Sequence, residues 1–510
     1  MRRIFTVCLF LCLAQSLASA QSSGNNPPAT LHVDSNIVLL DVTVTDASGK
    51  PVTDLRQDEF RITERKAPQT IASFEPPSAH DLPAADVGKV VVNSTADLVK
   101  IGEAPITILI LDELNMSFPD RAYARTKLLE WLGHQPAVLS QPTALMAIND
   151  VDFHMLRDFT QDRDALLAIL SKHTGDVVWR SDSNGRTGEQ ASENMASTLG
   201  AIERVSQALR GVPGRKNVVW VGDGFPSVSM GDVGRTSADQ IAVNLRHLSN
   251  VMLHARVTLS IVGPSLVFYK PQTIETQGDQ DSANMSEYTG VTLSNDNMQF
   301  AALAPPTGGR SYANRNDLDA EIGESVDSGA SYYTLSYHPS DPSNDPKVYR
   351  RIHVEVTRPG LTVQTRDGYF EEPKETGVPP KISTQQLAFD LYGAAASTLA
   401  YTDLHVTAER AGPADFTLHA SAKDMTWSEL PDGRRHADLI LLAACLSSSG
   451  RLLAKTFATL GSSTDASLAS IGIASTALHM HIEPPPGTAR IRFVVRDVAG
   501  GRVGTADIKP

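Results

Sequence analysis

Two acidic residues, Asp112 and Asp223, each close a run of aliphatic residues: ITILILD (106–112) and KNVVWVGD (216–223). A continuous apolar run of this length is how a buried parallel strand reads. In an open α/β sheet the carboxyl ends of such strands are where ligands sit. Two carboxylates delivered to one edge supply the chemistry of a hard-cation site or, alternatively, of acid–base catalysis. Acidic residues at strand ends also serve as helix caps and turn formers, so their surroundings decide between these roles.

Other reactive residue types offer less. No Gly-x-Gly-x-x-Gly or phosphate-loop lysine follows a strand, and the fourteen histidines form no His-Glu-x-x-His. His247 and His254 stand seven apart, on one face of a helix, with no third ligand in view. Gly222-Asp223-Gly224 lacks the central serine of a nucleophile elbow. Tyr332, Tyr333, Tyr337, Tyr369 and Phe370 read as packing of closing strands, and Arg350, Arg351 and Arg358 as solvated strand edges.

The elements that must position Asp112 and Asp223 belong to a chain of 510 residues, which a single hydrophobic core does not accommodate. Arg2 and Arg3, an apolar stretch IFTVCLFLCLAQSL and the small residues Ala18-Ser19-Ala20 predict a secretory signal peptide over 1–20, cleaved after Ala20. The expected location is therefore secreted or periplasmic, and no later segment is apolar for long enough to span a membrane. Removing Arg2 and Arg3 from 45 basic residues set against 58 acidic ones leaves a net charge of about −15. That balance argues against nucleic acid and anionic membranes as partners. Cys8 and Cys12 leave with the signal. Cys445, alone inside LILLAACLSS, reads as a buried apolar thiol.

Residues 21–30 form a polar lead-in. Period-two alternation in IVLLDVTVTD, with FRITE and QTIASFE, predicts an N-terminal β-module over 31–75, followed by a linker over 76–104. From 105 the pattern becomes strand, helix, strand, implying a mainly parallel, doubly wound sheet with helices on both faces. Thr160 or Asp162 caps its second helix. Closing antiparallel strands run to 372 and a Pro-rich linker covers 373–384. Short strands and turns over 385–510 predict a β-sandwich.

The order of IVLLDVTVTDASGKPVTDLRQDEFRI, ILILDELNMSFPDRAYARTKLLEWL, GRKNVVWVGDGFP, PTGGRSYANRNDLDAEI, YYTLSYHPS and GLTVQTRDGYF resembles the secreted, acidobacterial-type von Willebrand factor A-related family over about residues 31–372. The resemblance implies a Rossmann-like A-type domain over 105–372, used for adhesion or complex assembly and usually not for catalysis. It also implies a metal site: Asp-x-Ser-x-Ser after the first strand, a Thr from a second loop and an Asp from a third. Aligned on Asp112, the two serine positions are Leu114 and Met116, whose side chains do not ligate. Asn115 and Ser117 offer oxygens one position late, Thr198 is the first candidate for the Thr and Thr187 the second, and Asp223 matches the third-loop Asp. Asp112, Asn115, Ser117, Thr198 and Asp223 are thus the residues expected to hold Mg²⁺, or Mn²⁺ or Ca²⁺, unless the site is degenerate and its polar groups only shape the loop.

The function expected from this reading is that of an exported, non-enzymatic protein-binding, adhesion or complex-assembly protein. It would capture a protein partner, through a carboxylate if the metal is present, at the sheet edge near Asp112 and Asp223. The polar insert at 270–298 follows a strand and is expected to join that surface. The alternatives are a secreted hydrolase using acidic residues of the same edge and a metal-free structural envelope protein.

Overall fold

The structure is a computed structural model and describes residues 37–82, 91–150, 152–174, 188–229, 235–264, 297–312, 317–340, 345, 348–371, 384–430, 432, 434–464 and 475–510. The expected signal peptide and lead-in, Thr187, nearly all of the polar insert and the Pro-rich linker lie outside the described residues.

The strand Ile106–Asp112 is buried along its whole length. It lies inside a six-stranded sheet ordered Ser311–Tyr312, Val257–Val262, Lys216–Val221, Ile106–Asp112, Val138–Ile148, Phe153–Asp162. All neighbours are parallel except the last pair, in which Phe153–Asp162 closes the edge antiparallel. The sheet is therefore mixed, with a Rossmann-like parallel body.

Alternation along the Asp112 strand assigns its side chains to two cores. Ile106, Ile108 and Ile110 join a cluster with Ile202, Val205, Leu245 and Leu248 from the helices Gly188–Ala208 and Arg235–His254. Leu109 and Leu111 join Leu128, Leu132, Leu166 and Ile322 from the helices Phe118–His134, Arg163–Lys172 and Leu318–Ala330. Helices thus cover both faces, which explains why the strand carries no polar residue until its last position except Thr107. Asp162 caps the helix Arg163–Lys172 by accepting from the backbone of Asp164 and Ala165.

The strands of the expected N-terminal module pair with strands nearly three hundred residues later. Val38–Thr45 runs antiparallel to Tyr333–Tyr337 and to Thr362–Gln364, and Tyr333–Tyr337 also pairs with Ile71–Glu75. In a second sheet, Tyr349–Val356 pairs with Phe60–Glu64 and with Gly368–Phe370. One apolar core, including Leu40, Phe60, Tyr333 and Ile352, lies between the two sheets. A meander of so few residues cannot bury its faces alone, so the early and late strands complete each other. Tyr333 and Tyr337 pack as expected. Arg350 does not lie at a solvated edge: it is 1% exposed, its Nε donates to Glu64 at 2.6 Å, and its Nη1 reaches Glu371 at 3.3 Å. Two buried carboxylates make a buried guanidinium tolerable, whereas Arg351, one residue on, is exposed.

Within the stretch expected as a linker, Val92, Leu98 and Ile101 are buried against the parallel sheet. Beyond residue 384 the chain begins with a helix, Thr384–Ala396, where sequence reading expected only strands and turns. Leu391, Ala394 and Ala395 of that helix are buried in the same core as Leu442, Val494 and Val503. The remaining strands form two antiparallel sheets, with Phe416, Leu418, Leu441 and Phe493 in their shared core. Cys445 is buried there as a free thiol.

Candidate functional site at the carboxyl edge of the parallel sheet

Strand order reverses between Ile106–Asp112 and Lys216–Val221. From the former the chain first builds the side containing Val138–Ile148, then returns to build the other side. Asp112 and the loop after Val221 therefore meet at a topological switch point, the place where open α/β sheets bind their ligands.

Asp112 is fully buried and accepts six contacts from five nitrogens. Its Oδ1 receives the backbone N–H of Leu114 (3.1 Å) and of Asn115 (3.0 Å) and the Asn115 amide (3.1 Å). Its Oδ2 receives the same amide (3.1 Å), Trp220 Nε1 (3.0 Å) and the Gly224 N–H (2.9 Å). Burial pushes the carboxyl pKa upward, and these donors pull it back. One side chain thereby ties together the loop 113–117, the neighbouring strand and the loop beyond it.

Two glycines make that approach possible. A Cβ on Gly222 would stand 2.4 Å from Cβ of Asp112, and one on Gly224, at φ +67°, would stand 1.9 Å from the Phe300 ring. Asp223 lies between them at the same edge, half-buried. The short strand Val228–Ser229 that follows pairs with Asn297–Met298, so the end of the polar insert returns to this loop.

The expected metal residues are brought together only in part. Asn115 and Thr198 do join Asp112: the Asn115 amide also donates to Thr198 Oγ1 at 3.2 Å, and Asn115 Oδ1 accepts from Asn194 at 3.1 Å. That last bond orients the amide with its nitrogen toward Asp112. Ser117 is engaged differently. Its hydroxyl accepts from the backbone of Asp120 (3.3 Å) and donates to the Asp120 carboxylate (2.6 Å), capping the helix Phe118–His134. A directly bound Mg²⁺ requires oxygen lone pairs converging on one point. Here an amide nitrogen occupies the point shared by Asp112 and Thr198, so the residues present do not fit such an ion.

Sequence reading passed over Glu113, Asn194, Trp220 and His173. Glu113 is 7% exposed, and its Oε1 lies 2.6 Å from His173 Nε2. The ring of His154, which pairs with Asp152 at 2.8 Å, lies tilted by 59° to that of His173, with centroids 6.5 Å apart. Adjacency to Asp112 was a usable signal for Glu113. Nothing local marks His173, which reaches the edge because the helix Arg163–Lys172 runs back toward it.

At the opposite, amino edge of the sheet a second group converges. Among the described residues, Glu75, His80 and Glu103 are the one set of three His, Cys, Asp or Glu whose ligand atoms all lie within 4.8 Å of one another, an arrangement that could hold a metal ion. No helix among the described residues is long and apolar enough to cross a membrane.

No protein-family model matches this chain, and no curated protein does. Among solved structures, two of proximal thread matrix protein 1 from the mussel byssus are similar at 12% and 10% identity, with TM-scores of 0.25 and 0.24. Those alignments cover 47% and 49% of this chain and 49% and 48% of that protein, so the match spans about half of its length. A β-glucuronidase 2 of Bacteroides uniformis is similar at 10% identity and a TM-score of 0.12, over 35% of this chain and 18% of that one. At such TM-scores neither likeness bears on fold or function.

Proposed function

We propose that this chain is an exported, non-enzymatic protein-binding module of von Willebrand factor A type, which captures its partner at the carboxyl edge around Asp223 without a directly coordinated cation. The observation that carries the reading is the switch point organised by Asp112, whose carboxylate is saturated by its own fold. In this reading Asp112 and Asn115 shape the loops, while Asp223 and the insert that returns beside Val228 supply the contact surface. The C-terminal pair of sheets is read as a β-sandwich appended to that module.

The test places a photo-crosslinking residue at position 223 and, as a control, at the exposed Val99 on the described segment near the amino edge. Adducts with a protein of the exported fraction from position 223 and not from position 99 are expected. No adduct, or equal adducts from both, would overturn the reading. Deleting residues 270–296 is expected to impair the same capture while leaving the thermal melt of the sheet unchanged.

A hydrolase at this edge is the second reading, and the observation favouring it is the Glu113–His173 pair. A buried carboxylate orienting an imidazole is a usable general-base arrangement. Turnover of an ester, peptide or glycoside substrate that His173→Gln abolishes, with unfolding behaviour preserved, would favour it.

A further inference from the structure

We propose that Glu75, His80 and Glu103 form a binding site for a divalent transition ion of the Zn²⁺ class, which clamps the turn Pro77–His80 onto the amino edge of the parallel sheet beside Glu103. The three residues come from different places. Glu75 ends the strand Ile71–Glu75, His80 ends the short 3₁₀ turn Pro77–His80, and Glu103 precedes the Asp112 strand. Their ligand atoms nevertheless lie within 4.8 Å of one another.

His80 is the anchor of the site. It is 3% exposed, and its ring is stacked on Tyr332, with centroids 4.3 Å apart and planes 9° apart. Its Nε2 lies 3.1 Å from Thr334 Oγ1 and 3.7 Å from Glu75 Oε2, whereas Nδ1 is buried with no hydrogen-bond partner. Nε2 is the ring nitrogen set against a carboxylate of the site, that of Glu75.

The two carboxylates can close on an ion. Their side chains are 46% and 47% exposed. Metal–ligand bonds near 2.0–2.1 Å place ligands about 3.3 Å apart around a tetrahedral ion, so the oxygens need to move inward by about 1.5 Å. Glutamate rotamers at half-exposed positions permit that. Glu103 also pairs with Arg256 at 3.1 Å, through Oε2, which leaves Oε1 for the ion. Arg256 is in any case held more closely by Asp41, at 2.6 and 3.2 Å. One imidazole nitrogen with two carboxylate oxygens selects a borderline ion over Mg²⁺ or Ca²⁺, which favour all-oxygen sets.

The site is independent of the proposed partner-binding edge, from which the Asp112 strand separates it by about 20 Å. The full chain, stripped with EDTA, is titrated with Zn²⁺ calorimetrically and with Co²⁺ by visible absorption, and its thermal melt is followed with each ion. Uptake of one ion per chain, a visible Co²⁺ band and a melting temperature raised by several degrees are expected, with Mg²⁺ giving none of these. His80→Gln and Glu103→Gln should each abolish the uptake and the shift. His481→Gln, at an exposed histidine paired with Asp415, should keep both and so controls for adventitious surface binding. Glu103 is half-exposed, so Glu103→Gln keeps the test valid if His80→Gln fails to fold. No uptake by the stripped chain, or uptake that both variants retain, would overturn the proposal.

Discussion

Asn115 Nδ2 stands 3.1 Å from each carboxylate oxygen of Asp112 and 3.2 Å from the hydroxyl of Thr198. One neutral amide group is thus shared by three oxygens that a cation would otherwise draw together. A dipole in that position neutralises nothing, which is why Asp112 also recruits Trp220 and two stretches of backbone.

Asn115→Asp tests this substitution of amide for ion. It removes the donors and sets a second carboxylate against Asp112 in a buried place. A loss of about 2–4 kcal/mol in EDTA is expected by urea unfolding, since like charges and orphaned acceptors both cost. Added Mg²⁺ should restore part of that loss in the variant and leave the natural chain unshifted. Equal responses of the two proteins to Mg²⁺ would show that the amide is not standing in for an ion.

Gly224→Ala bears on the same loop. The residue holds φ +67°, its N–H donates to Asp112, and an added methyl would enter the Phe300 ring. Strain and overpacking together predict a loss of about 2–4 kcal/mol. Gly360→Ala, at φ +78° with open space around it, should cost only the backbone part, about 1 kcal/mol. Thermal melts of the two variants give the comparison.

Lys216 gives the chain a defined pH response. It is 1% exposed, and burial, then the charge of Arg256, push its pKa down to about 7. Its ammonium donates to the carbonyls of Val212 and Gly214. In the unfolded chain the same group keeps its proton to about 10.4. Between those values the unfolded state binds more protons, so stability rises with pH from about 7 upward; below about 7 both states are protonated and this dependence vanishes. The rise ends near pH 10, where Tyr332 and Tyr401, whose pKa values burial raises, ionise first in the unfolded chain. Urea unfolding between about pH 7 and pH 9 should show the upward slope, and Lys216→Met should flatten it.

Arg350 is held by Glu64 and Glu371, and Glu64 also accepts from Tyr337 at 2.6 Å and Tyr369 at 3.2 Å. Arg350→Met leaves buried carboxylates without their cation and should cost about 3–5 kcal/mol by chemical denaturation. Adding Glu64→Gln should recover part of that loss. If the double variant is no more stable than the single one, the charge pairing is not what the network supplies.

By itself the sequence determined what depends on neighbours along the chain. The apolar runs before Asp112 and Asp223 read as buried strands, and Asp162 stands at a helix start because its oxygen reaches backbone two and three residues on. Leu387, Leu391, Ala394 and Ala395 recur at helical spacing, so the helix Thr384–Ala396 is also written locally, though beside strands whose alternation is the stronger signal. Tertiary structure alone decided the rest. Arg350 and Arg351 are identical as sequence, and only the carboxylates brought from residues 64 and 371 make one of them buried. The pairing of Val38–Thr45 with Tyr333–Tyr337 leaves no local mark, because either strand offers the same alternation to any partner. Likewise, whether Asp112 meets a cation or an amide turned on where Asn115, Asn194 and Thr198 come to rest. That depends on the packing of a helix some eighty residues away, and no spacing in the chain encodes it.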